Sequence, residues 1–306
     1  MEKVVTTSDG VDLAVTITGP QDAPVAAILV HGWCLSSEIY QLQQQALAAH
    51  PIRVVAYDTR GHGRSGKAPR GSTTIARIAT DLSTVIDDVC GDVPVILVGH
   101  SMGGMTIMAL AEAEPERFVS PREAGPGRCT GVVFVNTAAG DLARSPFGLP
   151  RPLAGVAEWF LPREFARRHR AQLRRGDGPV RRRWIDALIA RSILFGDDPA
   201  PEHVRLGRRL ISTAHPGVQE GFFPELGLHQ RHQALKHLTE TPVRVLAGTR
   251  DRLTPLVHSR RIADALPDAR LSVFPGAGHM IPLERADELT DTVVQLARLV
   301  TDGTRR

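Results

Sequence analysis

Lysine is nearly missing from this chain of 306 residues, standing only at Lys3, Lys67 and Lys236. Arginine supplies the rest of the base, yet the net charge is only +4 at pH 7. Neither a strongly basic balance nor a recognised nucleic-acid motif is present, so no nucleic-acid partner is expected. Cysteine is also sparse: Cys34, Cys90 and Cys129 form an odd set with no C-x-x-C spacing. That argues against a disulfide framework and a zinc site, and fits reduced thiols in the cytoplasm. No run reaches the roughly 18 apolar residues of a membrane span. The opening MEKVVTTSDG lacks an apolar h-region, so no signal peptide is expected. G-x-x-x-x-G-K-[ST] and a post-strand G-x-G-x-x-G are both missing, which removes the usual phosphate-cradling loops. His229 and His232 lie three apart on an expected helix, but no third ligand has suitable spacing. No cofactor and no metal are therefore expected.

What is present is a regular alternation. Residues 3–7 and 11–17 flank Ser8-Asp9-Gly10 and predict an N-terminal hairpin. Apolar runs then predict strands at 26–30, 54–57, 95–98, 132–135, 243–247 and 271–274. Between them, helical spacing appears from about Ser36, at Ile75, Ile78, Leu82, Val85 and Val89, and from Met102 to Ala113. A last helix is expected from about Ala286 to Val300. Strands apolar on both faces that alternate with helices imply an α/β fold, with a mostly parallel sheet covered on both sides. The segment 120–127 is rich in Pro and Gly and predicts a surface loop.

No strand pattern occurs between Thr137 and Thr241. Apolar stripes at Val180, Trp184, Leu188 and Ile189, and at Leu206, Leu210 and Ile211, predict helices there. The expected organisation is a core of residues 1–140 and 239–306, with 141–238 as a helical cap. Fifteen arginines against ten acids lie between Asp141 and Glu225. Arg163, Arg167, Arg170 and Arg174 would share one helix face, beside an Arg181-Arg182-Arg183 cluster. Interleaved acids such as Glu158, Glu164, Asp177 and Asp186 make a solvated face the expectation.

The segment VILVGHSMGG carries the chemistry. Gly99-His100-Ser101-Met102-Gly103 matches G-x-S-x-G after a strand and before a helix. Ser101 would sit on a strained turn with its Oγ exposed, and Gly99 and Gly103 would give it room. The helix beginning at Met102 would aim its N–H groups and positive dipole end at the reacting centre.

With four further segments, the chain resembles the α/β-hydrolase superfamily over nearly its whole length. His31-Gly32-Trp33 is similar to the family's oxyanion loop. The turn from Asp58 to Ser65 resembles D-x-R-G-x-G-x-S. Gly248 to Pro255 resembles the acid loop, and Gly276 to Met280 the histidine loop. The resemblance implies an eight-stranded-type sheet with an inserted cap, and a serine esterase or lipase-like hydrolase. It implies Ser101 as nucleophile, His279 as general base and Asp251 as orienting acid, in the order Ser, Asp, His that the fold uses. The N–H groups of Met102 and Trp33 would form the oxyanion hole, and Trp33 and Met280 would line the substrate pocket. His31, His62 and His100 are expected to be structural, with Asp58 and Arg60 supporting each other. A serine at 101 favours acyl transfer on an ester or lactone of a small to medium apolar substrate. Perhydrolysis, carbon–carbon cleavage and a low-turnover ligand-binding role stay open.

Overall fold

A computed structural model describes residues 1–142, 151–175 and 191–303. The expected stripe from Val180 to Ile189, the Arg181-Arg182-Arg183 cluster, Asp177, Asp186 and the side chain of Trp159 lie outside the described residues.

The strands are β1 (Glu2–Thr6), β2 (Asp12–Thr18), β3 (Ala26–Val30), β4 (Arg53–Tyr57), β5 (Val95–His100), β6 (Cys129–Val135), β7 (Val243–Gly248) and β8 (Arg270–Phe274). They form one sheet in the order β1-β2-β4-β3-β5-β6-β7-β8. The first hairpin is antiparallel, β2 joins β4 antiparallel, and the remaining pairs are parallel. Every residue of β3, β5 and β6 is buried, as strands covered on both faces require. In β2 burial alternates, with Leu13, Val15 and Ile17 turned inward and every second residue out.

The helices are α1 (Gln41–Leu47), α2 (Ile75–Cys90), α3 (Met102–Ala113), α4 (Arg151–Arg175), α5 (Pro201–Thr213), α6 (Pro216–Leu228), α7 (Leu256–Asp264), α8 (Ile281–Glu284) and α9 (Ala286–Gly303). The helix expected at Ser36 begins as a 3-10 turn, Ser37–Tyr40, with the Ser36 hydroxyl capping it. The 120–127 loop holds a 3-10 turn at Pro121–Glu123. In α2, Ile75, Ile78, Leu82, Val85 and Val89 are all buried. Thr74 caps that helix by accepting from the Arg77 N–H at 3.1 Å, and Glu225 of α6 accepts from the Ile75 N–H at 3.1 Å. Two apolar clusters form the core. One includes Leu13, Ile28, Leu97 and Phe134 with α2 and α3. The other includes Ala27, Leu29, Ile96 and Val98 with α1 and α9.

Between β6 and β7 the described residues carry helices and no strand. Helices α4 and α6 pack together, and Val218 and Phe222 of α6 are buried in the first cluster. Ala139, just after β6, and Arg231, ahead of β7, meet where the Arg231 N–H donates to the Ala139 carbonyl at 2.6 Å. Arg163, Arg167, Arg170 and Arg174 on α4 are exposed.

One expected pairing is wrong. Asp58 and Arg60 do not support each other. Asp58 accepts from the Ser37 and Arg64 N–H groups at 2.7 and 2.8 Å. Arg60, fully buried, grips Asp81 at 2.6 Å and Asp9 at 2.8 Å. Side chains two apart in this turn leave in opposite directions, one shaping the loop and the other tying the N-terminal hairpin to α2. His229 and His232 do not share a helix either. His229 ends α6, and His232 begins the 3-10 turn His232–Leu238.

Candidate active site

Ser101 stands between β5 and α3 with φ 55° and ψ −119°. That backbone is costly for any residue with a Cβ and is held only because its surroundings leave no alternative. The Ser101 N–H donates to Val135 O at 3.0 Å, and Thr137 Oγ1 donates to Ser101 O at 2.7 Å. A Cβ on Gly99 would stand 2.6 Å from the Gly104 nitrogen, and one on Gly103 would stand 2.1 Å from Val30 O. Both glycines are therefore steric requirements, as the motif implied. Gly104 is a third, because a Cβ there would collide with Thr137 at 2.6 Å.

The His31 loop lies directly on this turn. A Cβ on Gly32 would be 3.1 Å from Ser101 Cβ, so the loop meets Ser101 at Gly32, and Trp33 follows it in the chain. Two buried histidines shape the loop. His31 Nδ1 bonds Gly32 O at 2.8 Å while its Nε2 accepts from the Thr59 N–H at 3.0 Å. His62 Nε2 accepts from the Cys34 N–H at 3.2 Å, and Cys34 has φ 59°. Burial holds His62 down at about 3, so it stays neutral and able to accept. These are the structural roles expected of both residues.

Asp251 and His279 meet across 28 residues. His279 Nδ1 and Asp251 Oδ2 are 2.8 Å apart, with side chains 3 % and 0 % exposed. The remaining acceptor capacity of Asp251 is used locally. Oδ1 accepts from the Leu253 and Thr254 N–H groups at 2.8 and 3.0 Å, and Oδ2 accepts from Thr254 Oγ1 at 2.7 Å. A carboxylate so fully engaged has one orientation, and it orients the imidazole in turn. Asp141, the other acid near the end of β6, faces Arg261 at 3.2 Å and His232 at 3.7 Å instead.

The loop bearing His279 is pinned from behind. His279 O accepts from His100 Nε2 at 2.8 Å and from Asn136 Nδ2 at 2.9 Å. Asn136 Nδ2 also donates to Gly278 O at 2.8 Å, and its Oδ1 accepts from the Gly248 N–H at 3.0 Å. Asn136 thus bridges the acid loop and the histidine loop. Sequence reasoning missed it, although a lone amide directly after the apolar run at 132–135 is a visible signal. Burial and neighbouring His279 keep His100 far below the usual histidine range, so its Nε2 donates as a neutral tautomer.

Trp33 is half-buried, and its ring contacts Phe165 of α4 and Phe223 of α6 with centroids 5.9 and 5.8 Å away. Its indole N–H donates to Val218 O at 3.2 Å. The helices between β6 and β7 therefore overhang the loop beside Ser101. Met280 is fully buried, near Gly207 of α5 and Phe195. Among the described residues, no group of three or more His, Cys, Asp or Glu converges as metal ligands would, and no helix is long and apolar enough to cross a membrane.

The profile of the Alpha/beta hydrolase family matches residues 27–292. The chain is 26 % identical over 309 aligned residues to a bifunctional esterase/perhydrolase of Acinetobacter calcoaceticus, covering 96 % of this chain and 99 % of that one. It is 26 % identical to a pimeloyl-[acyl-carrier protein] methyl ester esterase of Aromatoleum aromaticum, covering 89 % and 97 %. An esterase structure from Thermogutta terrifontis superposes with a TM-score of 0.73 at 24 % identity, covering 98 % and 99 % of the two chains, and shares the fold.

Proposed function

The chain belongs to the alpha/beta hydrolase family and is a hydrolase, and on that premise we propose a serine hydrolase acting on a carboxylic ester or lactone of a small to medium apolar substrate. The observation that carries this reading is the buried 2.8 Å contact between His279 and Asp251, on loops beside a Ser101 held at φ 55° before a helix N-terminus.

In this reaction His279 takes the Ser101 proton as Ser101 Oγ attacks the substrate carbonyl. Asp251 holds the tautomer with Nδ1 protonated and stabilises the imidazolium. The N–H groups of Met102 and Trp33 receive the negative charge that develops on the carbonyl oxygen. His279 then gives its proton to the leaving alcohol. Water attacks the acyl-enzyme through the same base, releasing the acid and restoring Ser101. The chemistry uses this chain's own residues and no cofactor or metal. Residues 141–238 act as a cap, with Trp33 as a wall of the pocket and Met280 backing it beside His279. Covering the site excludes water and strengthens the oxyanion bonds. Three buried free cysteines suit a reducing compartment, which supports a cytoplasmic location.

The test pairs a fluorophosphonate probe with acyl p-nitrophenyl esters of graded length. Wild type should label rapidly, and Ser101→Ala should not label while its ester turnover falls by at least about a thousandfold. Near-native turnover by Ser101→Ala refutes the assignment. The esterase/perhydrolase relative favours a second reading, in which hydrogen peroxide replaces water at the same acyl-enzyme and leaves as peracid. Peracid formation from a carboxylic acid and peroxide, lost in Ser101→Ala, distinguishes it.

A further inference from the structure

Glu284 is the last residue of α8, and its side chain folds back over the start of that helix. Oε1 accepts from the Met280 N–H at 3.1 Å, the amide that opens the helix. Both carboxylate oxygens lie 3.1 Å from the Gly278 nitrogen. Oε2 accepts from the Gly196 N–H at 2.8 Å. One carboxylate thus gathers three backbone amides, and two of them flank His279. Charge-assisted bonds to a cluster of N–H groups are strong and directional.

The third amide belongs to the segment between β6 and β7. Residues 194–197 run along the histidine loop as a short ribbon: the His279 N–H donates to Leu194 O at 2.7 Å and the Asp197 N–H to Gly276 O at 2.9 Å. The contact is backbone on backbone. A Cβ on Gly196 would overlap Gly276 O, and one on Gly278 would stand 2.4 Å from the Gly196 nitrogen. With Phe195 buried behind it, this ribbon has one seat.

We infer that Glu284 is a positioning residue for His279, fixing the imidazole by clamping the amides on either side of it to residues 194–197 of the segment between β6 and β7. The inference rests on His279 being the general base. Asp251 sets the ring from its Nδ1 side, and Glu284 sets the backbone that carries the ring. Losing the clamp leaves the His279 backbone held by Leu194 at its N–H and by His100 and Asn136 at its carbonyl, with the amides of Gly278 and Met280 on either side no longer anchored.

The experiment compares wild type with Glu284→Gln, which keeps the shape but replaces one acceptor oxygen by a donor. The readouts are kcat and KM for a short p-nitrophenyl ester, amide exchange at Gly196, Gly278 and Met280, and the downfield proton resonance of His279 Nδ1–H, assigned by its loss in His279→Ala. The expected result is a kcat lower by about 10- to 100-fold, as for other residues that orient a reacting group through hydrogen bonds, with KM within about twofold. The Nδ1 resonance should broaden or shift, the three amides should exchange faster, and Glu284→Asp should recover part of kcat. A folded Glu284→Gln with wild-type kcat and an unmoved resonance overturns the inference. Failure of both variants to fold also overturns it, since the carboxylate then serves the fold. A wild type whose turnover survives His279→Ala would instead sink the underlying assignment of the base, a result that Glu284 variants cannot mimic.

Discussion

Replacing Asn136 by alanine tests the architecture behind the reacting groups. The side chain is fully buried and makes three hydrogen bonds, to Gly248 N, Gly278 O and His279 O. Alanine leaves a buried N–H and a buried C=O without those partners, at about 1–3 kcal/mol each. The His279 carbonyl loses less because His100 Nε2 still donates to it. Asn136 also has φ 44°, where alanine pays about 1–2 kcal/mol that asparagine largely escapes. Partial relaxation brings the whole to about 3–4 kcal/mol. An unfolding entropy of about 2.1 cal/mol/K per residue makes each kcal/mol about 1.6 °C in a chain of 306 residues. Calorimetry should therefore show Tm lower by about 5–6 °C. Activity at a temperature where the variant is folded should also fall, because both loops lose their bridge. Asn136→Gly relieves the backbone and should recover about 1 kcal/mol of stability without recovering activity. A Tm within a degree of wild type together with unchanged kcat would show that Asn136 merely fills space.

Asp251→Asn should lower kcat by about 10⁴-fold with a much smaller effect on KM, because the amide favours the wrong imidazole tautomer. Asp141→Asn should leave kcat within about twofold, and the opposite pattern in steady-state kinetics would mean that the acid sits elsewhere. Burial holds His62 and His229 at about 3 in the folded chain, against 6.5 for a free histidine. The unfolded chain thus binds more protons between these values. The stability that they contribute is full above pH 6.5 and is lost as pH falls from 6.5 toward 3. Tm measured between pH 8 and pH 4 should fall on the acid side, and less steeply in His62→Gln if that variant folds. Exchanging Arg167 and Arg174 for Gln should change kcat/KM for a neutral ester by less than about twofold, since both side chains sit on an exposed face. A large loss would reveal a substrate that needs their charge.

The strands were legible because burial on both faces demands unbroken apolar runs, and Ala26–Val30 and residues 95–98 are such runs. The limits moved most at β6, which begins at Cys129 rather than at Val132, because Thr130 and Gly131 interrupt the apolar pattern inside a buried strand. That Ser101, Asp251 and His279, the residues proposed to react, each follow a strand was legible. Their supports were not. Asn136 acts on residues 112, 142 and 143 positions away, and Glu284 acts on Gly196 at 88. A single polar residue has no periodicity, so nothing in its own neighbourhood announces such partners. The Asp58–Arg60 error has the same root. Arg60's partners lie 51 and 21 positions away, while nearness in the chain suggested a partner two positions away.

The meeting of Ala139 and Arg231 has an evolutionary reading. A segment that departs and returns at one hydrogen bond of 2.6 Å can be exchanged for another without spreading the sheet. The exposed face of α4 that carries Arg163, Arg167, Arg170 and Arg174 could then change without moving the strands. The freedom narrows at α6, where Val218 and Phe222 are buried in the core and Glu225 caps α2, and it stops at residues 194–197, where Gly196 lies against Gly278 too closely for any side chain. A lid grafted from a relative that brings any other residue to that contact would displace the histidine loop. Transplants between such proteins should therefore tolerate variation on the outer faces of α4 and α5, provided that the host's Val218, Phe222, Glu225 and glycine ribbon are carried over with its histidine loop.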